Sequence, residues 1–118
     1  MDARIIEVGT QRFTKVLCTD KPGVGNSCHE YKVVGANSEG TFVAVSFQNG
    51  LIKETGVNGC HNEDLIAIVI DRLQGFQSGL FKCRENALAL TKLEEAMHWL
   101  NHRTTERQKR GVEGQSIA

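Results

Sequence analysis

The sequence predicts an α+β fold: an N-terminal antiparallel β-sheet followed by a C-terminal two-helix hairpin with a long second helix. Three observations carry this. Short β-branched and apolar segments separated by turn residues fill the first half. Near Asn62 the apolar period changes from two to between three and four. A long helix-forming run then leads from LALTKLEEAMHWLNHR to RQKRG.

The 118 residues fit one domain, 1–118, with a sheet region at 1–59, a helical hairpin at 60–111 and a polar tail at 112–118. The chain is 40% hydrophobic and 24% charged, ordinary for a soluble globular protein. The longest aliphatic run, LIAIVI, is far short of the roughly 20 apolar residues of a membrane span. No basic region followed by an apolar run opens the chain, so a cytosolic location is expected. Formal net charge is zero, which provides no global field to draw in nucleic acid. The four cysteines, Cys18, Cys28, Cys60 and Cys83, form no Cys-x-x-Cys clip and are expected as free, mostly buried thiols.

In the first half, strands are expected at Arg4–Val8 and Phe13–Thr19, joined through Gly9-Thr10-Gln11. Residues 20–27 hold the chain's one proline and two glycines at alternate positions, and form a loop. His29–Val34 alternates, with Tyr31 and Val33 on one face. Asn37–Gly40 is a turn, and Thr41–Gln48 is the clearest strand, with Val43, Val45 and Phe47 on one side. Asn49-Gly50 is a strong hairpin signal, because a type I′ turn needs positive φ at both centre positions; Leu51–Thr55 is then a returning strand. Gly56 and Gly59 bracket a loop around Asn58.

In the second half, Asn62 is the expected N-cap, with Glu63 and Asp64 in the first turn. Glu63, Ala67, Asp71 and Gln74 make a polar stripe, and Gly75 ends the helix. Gly75–Gly79 is the turn, Ser78 caps the second helix, and that helix runs to about Arg110 with Gly111 as its C′ residue. Leu90, Leu93, Met97 and Leu100 follow the spacing of a helix seam. Such a helix, roughly 30 residues and about 45 Å long, exceeds what one small sheet can cover. A second copy of the chain is therefore expected to bury part of the face between Leu88 and Trp99.

Among residues that could carry chemistry, Arg103, Arg107 and Arg110 lie at i, i+4 and i+7, with Trp99 one turn earlier. Guanidinium forks suit phosphate and an indole face suits a purine; equally, cations at a helix C-terminus offset its dipole. Phe76 is either a core anchor or a stacking platform for a base, and Asn86 either a surface residue or a base reader. His98 and His102 lie at metal-binding spacing but no third ligand is placed to help, and Cys60-His61 is weaker still, so no metal is expected. The KPGVG loop lacks a following Gly-Lys-Ser/Thr and is an anion nest at most. Nothing assembles as nucleophile, base and orienter, which favours a binding protein without cofactor over an enzyme.

The tract GFQSGLFKCRENALALTKLEEAMHWLNHRT, with RxxRGVEG after it and IKETGVNG and EDLIAIVIDRLQ before it, resembles the helical-hairpin region of the Thoeris anti-defence sponge family of small phage proteins. A related hairpin occurs in the anti-CBASS cyclic-oligonucleotide sponge. The one departure is the ending, Gly114-Gln115-Ser116 where the family tends to read GVEGTH. The resemblance implies capture, without degradation, of cyclic ADP-ribose isomers made by TIR-domain immune enzymes in the host bacterial cytoplasm. It further implies a second site for cyclic di- or trinucleotides in some members, and hexamers built from homodimers. Phe76 would stack on adenine, Asn86 would hydrogen-bond the ligand, and Arg103 and Arg107 would meet phosphate. Trp99, Lys53 and Asn58 complete the candidate ligand-binding set. The alternative is a phosphodiesterase or nucleosidase that cleaves the same signal.

Overall fold

The computed structural model describes residues 3–9, 12–37 and 40–109. The chain forms two compact units, Met1–Cys60 and His61–Ala118. The first holds the sheet and only short helical turns, and the second holds the two long helices, as an α+β chain.

Four strands, β1 (Arg4–Ile5), β2 (Thr14–Cys18), β3 (Glu30–Gly35) and β4 (Thr41–Ser46), lie in the order β1-β2-β3-β4. Every pairing is antiparallel. Arg4 stands opposite Cys18, Cys18 opposite Tyr31, and Tyr31 opposite Val45. Residues opposite one another share a face, and so do residues two apart. One face therefore carries Arg4, Val16, Cys18, Tyr31, Val33, Val43 and Val45. Tyr31 meets Phe47 edge to face, with ring centroids 5.8 Å apart. Cys18 on this face is fully buried. The register breaks between Val33 and Val34, which pair with Val43 and Thr41, leaving Phe42 as the extra residue of a bulge.

The returning strand expected at Leu51–Thr55 is not formed. Residues Ile52–Thr55 are a single helical turn, α1. Thr55 and Gly56 N–H donate to the carbonyls of Leu51 and Ile52, and the Thr55 hydroxyl also donates to Leu51 O at 2.9 Å. Gly50 does adopt positive φ (94°), but the chain turns into a loop instead of a hairpin. Side chains close that loop. Gln48 Nε2 donates to Gly56 O at 2.9 Å, and Asn49 N–H donates to Asn58 Oδ1 at 2.8 Å. Phe47 then pairs with Cys60 in a parallel bridge. Gly59 sits so close that a Cβ there would lie 2.4 Å from the Phe47 carbonyl carbon.

In the second unit, α2 spans Asn62–Gln77 and α3 spans Arg84–Lys109. The N-cap of α2 is His61, one residue earlier than expected, and its N–H donates to Asp64 Oδ2 at 2.8 Å. The helix passes through Gly75 instead of ending there, so Phe76 belongs to its last turn and not to the connection. Ser78, expected to cap the second helix, instead caps the end of the first: its N–H donates to Gln74 and Gly75 carbonyls and its hydroxyl to Gly75 O at 2.8 Å. Cys83 opens α3, with its sulfur accepting the Asn86 N–H at 3.4 Å and its carbonyl the Ala87 N–H. The helices pack on each other, and a connection as short as 78–83 makes such neighbours antiparallel. Leu90, Leu93, Met97 and Leu100 are all half-buried, as a packed seam requires. The expected positions of Arg110, Gly111 and the tail lie outside the described residues.

The thiols are free, but they are less buried than expected: Cys28 and Cys60 are half-buried and Cys83 is exposed. Large apolar side chains remain exposed in both units, including Phe13, Phe42, Leu80, Phe81 and Trp99.

Candidate functional site

The residues expected to bind ligand fall into three groups. Phe76 and Asn86 flank the 78–83 connection, one in the last turn of α2 and the other in the first turn of α3. They therefore lie at the turn end of the hairpin. Phe76 is half-buried. The Arg72 guanidinium sits over its ring, 4.9 Å from the centroid, and Phe81 approaches edge-on at 6.3 Å. Phe81 is 74% exposed and Leu80 97% exposed, so the turn end presents an apolar tip beside the ring. Gln77 Oε1 accepts the Cys83 N–H at 2.9 Å, which braces the connection from within. Asn86 uses its backbone N–H for the Cys83 sulfur.

Trp99, Arg103 and Arg107 form the second group, towards the other end of α3. Trp99 is 64% exposed and carries His98 and His102 edge to face at 5.3 and 5.7 Å. The two imidazoles stack on each other at 6.4 Å. The arginines differ: Arg103 is exposed, whereas Arg107 is buried. Arg110 lies outside the described residues. Glu106 takes an ion pair from Lys109 at 3.6 Å and reaches His102 at 4.0 Å.

These two groups are not brought together within one chain. Asn86 and Arg103 stand on one unbroken helix, roughly 26 Å apart along its axis. A nucleotide pocket (about 300–1,000 Å³, or about 10 Å across) cannot bridge that distance.

Lys53 and Asn58 belong to the first unit. Lys53 is exposed on α1. Asn58 has both side-chain heteroatoms committed to the fold: Oδ1 accepts from Asn49 N–H at 2.8 Å, and Nδ2 donates to Asn49 O at 2.6 Å. These two bonds fix the amide's orientation and leave one lone pair and one N–H for any further contact.

A profile of the family described as Acb2/Tad1, hairpin domain matches residues 39–105, more than half of the chain. The chain belongs to the Acb2/Tad1 hairpin family. It is also 56% identical over 90 residues to "Thoeris anti-defense 1" of Bacillus phage SBSphiJ7, an alignment that covers 76% of this chain and 63% of that protein. This chain thus spans less than two thirds of that relative's length.

The hairpin-domain match runs from the start of β4 almost to the end of α3. It includes Lys53, Asn58, Phe76, Asn86, Trp99 and Arg103, and stops short of Arg107. Arg72 and Phe81 also lie inside it and were not foreseen as partners of Phe76. The signal was available: Arg72 precedes Phe76 by one helical turn, a spacing that matters only once the helix is carried through Gly75.

The Acb2/Tad1 hairpin chain has a further polar cluster in its sheet unit. The Asp20 carboxylate accepts the N–H of His29 at 2.9 Å and of Glu30 at 3.1 Å. Burial would raise the Asp20 carboxyl, but these two donors hold it below the ordinary carboxylate value. Cys18 and Cys28 both point their thiols at the Asp20 carbonyl, at 3.4 and 3.6 Å. The hydrogen bond to Cys18, and then burial, push the Cys28 thiol up, against the downward pull of Arg4. No helix among the described residues is long and apolar enough to cross a membrane.

Proposed function

We propose that this protein is an anti-defence sponge: it binds cyclic ADP-ribose isomers made by TIR-domain immune enzymes in the host bacterial cytoplasm and holds them without cleaving them. The observation that carries this is the 56% identity to a relative named Thoeris anti-defense 1, within a shared hairpin family. The site chemistry supports it. Phe76 offers an aromatic face for adenine, with Arg72 behind it, and Asn86 offers a side-chain amide on the adjacent helix start. Arg103 and Arg107 supply charge for a diphosphate.

Because the aromatic and basic ends of one hairpin are too far apart, the proposed pocket takes Phe76 and Asn86 from one protomer and the arginine end from its partner. A two-fold dimer of antiparallel hairpins supplies two such pockets. The exposed Leu88 and Trp99, 47% and 64% accessible, are the surface such a partner would cover. Dimers then join into hexamers, with a separate site for cyclic di- or trinucleotides.

Titration calorimetry of the whole chain with cyclic ADP-ribose isomers, cyclic dinucleotides, cyclic trinucleotides and short DNA tests this. Tight binding of one cyclic ADP-ribose isomer is expected. Binding of DNA alone would exclude the proposal.

A further inference from the structure

We propose that Cys18, Cys28 and Asp20 form a binding site for a thiophilic divalent cation, of which Zn²⁺ is the natural fit, placed in the sheet unit and separate from the nucleotide chemistry above. Their ligand atoms, two sulfurs and a carboxylate oxygen, all lie within 4.8 Å of one another. A tetrahedral zinc with Zn–S bonds of about 2.3 Å holds its ligands roughly 3.5–3.8 Å apart, so a contraction of about one ångström, within the reach of side-chain rotation, closes the site.

The backbone explains why such distant residues converge. Cys18 ends β2, and Glu30 begins β3 two residues after Cys28. Between them the chain doubles back through a tight turn, Gly23 N–H to Ser27 O at 2.8 Å and Asn26 N–H to Gly23 O at 2.9 Å. Asn26 and Gly25 both take positive φ there (67° and 80°). The spacing is not that of a Cys-x-x-Cys clip; the ligands meet through strand pairing.

The surroundings match what a metal site needs beyond its ligands. Two backbone N–H groups fix the Asp20 carboxylate, leaving lone pairs free to coordinate. His29 Nδ1 lies 3.8 Å from Asp20 Oδ2, outside the three-ligand cluster, and faces its carboxylate. The Arg4 guanidinium is carried on the same sheet face as Cys18, its partner across the ladder. Two thiolates and a carboxylate around a divalent ion leave one negative charge, which that guanidinium neutralises. Cys18 is fully buried, so the metal is shielded from exchange on one side. Thiolate ligands select this class of ion over Mg²⁺ or Ca²⁺. Because the ligands tie the end of β2 to the loop that leads into β3, binding should stiffen that corner of the sheet.

The test is Co²⁺ titration of the reduced full-length chain, followed by competition with Zn²⁺. A thiolate-to-cobalt charge-transfer band saturating at one ion per chain and erased by Zn²⁺ is expected. Cys28→Ser should lose the band, while a Cys60→Ser/Cys83→Ser variant keeps it. In thermal melts Zn²⁺ should raise the midpoint of the wild type and of the Cys60→Ser/Cys83→Ser variant but not of Cys28→Ser. Absence of the band in the reduced wild type overturns the proposal, as does its persistence in Cys28→Ser or its loss in Cys60→Ser/Cys83→Ser. A chain that binds no Co²⁺ and yields only a Cys18–Cys28 disulfide on oxidation by glutathione disulfide overturns it too.

Discussion

The Arg72 guanidinium lies 4.9 Å from the centroid of the Phe76 ring, one helical turn before it on α2. The ring thus has a cation over one face and Phe81 in an edge contact, and on the proposed function it stacks on a base. Base–aromatic stacking is worth about 1–3 kcal/mol, so Phe76→Ala should weaken cyclic ADP-ribose isomer binding by roughly 5- to 150-fold in calorimetry. Arg72→Ala should cost less, about 0.5–1 kcal/mol as for an exposed cation–π pair, with little change in melting temperature. Unchanged affinity in Phe76→Ala would remove the stacking role.

Asn86 supplies a backbone N–H to the Cys83 sulfur whatever its side chain is. Asn86→Ala should therefore leave the circular dichroism spectrum and thermal midpoint close to wild type. It should lower ligand affinity by about fivefold, the loss of one hydrogen bond of about 1 kcal/mol. A drop in helicity matching the loss of binding would assign Asn86 to the fold instead.

An intersubunit pocket makes a complementation prediction. Phe76→Ala and Arg103→Ala homodimers should each bind poorly. Mixed and re-equilibrated in equal amounts, they should recover about a quarter of the wild-type sites, because each heterodimer has one pocket with both residues intact. Ligand-binding stoichiometry measures this. No recovery on mixing, with subunit exchange verified, would place the aromatic and basic groups in separate sites.

Gly59 should not tolerate a side chain. A Cβ would stand 2.4 Å from the Phe47 carbonyl carbon and 2.6 Å from Ser46 O, both backbone atoms that cannot step aside. Gly59→Ala should destabilise the sheet unit by about 1–3 kcal/mol, the usual cost of overpacking. Urea denaturation should show a lower midpoint with the same slope.

Much of this architecture was legible in the sequence, and the misses share a cause. Clustered β-branched and apolar residues mark β2, and alternation marks β3 and β4, because a half-buried strand writes its period directly into residue choice. Leu51–Thr55 departs from the expected strand since Asn49-Gly50 is only a local hairpin signal, whereas the loop is decided by Gln48 and Asn58 reaching across it. Gly75 carries the local signal of a helix end because glycine costs about 1 kcal/mol in a helix interior; the packing of α2 on α3 carries the helix past it. Phe76 and Asn86 stood out as an aromatic and an amide near a turn, but Arg72, Phe81 and Cys83 became visible only once the helix ends were located. The Cys18–Asp20–Cys28 cluster could not be read from spacing, since β-pairing assembles it.

On the proposed function a captured nucleotide leaves the protein chemically unchanged. The measurement that tests it most directly is to saturate the purified protein with a cyclic ADP-ribose isomer, denature the complex by heat, and identify the released nucleotide by chromatography and mass spectrometry. Intact cyclic ligand, recovered in the amount bound, is the predicted result. Recovery only of linear ADP-ribose or smaller fragments would contradict it and make the protein a phosphodiesterase or nucleosidase.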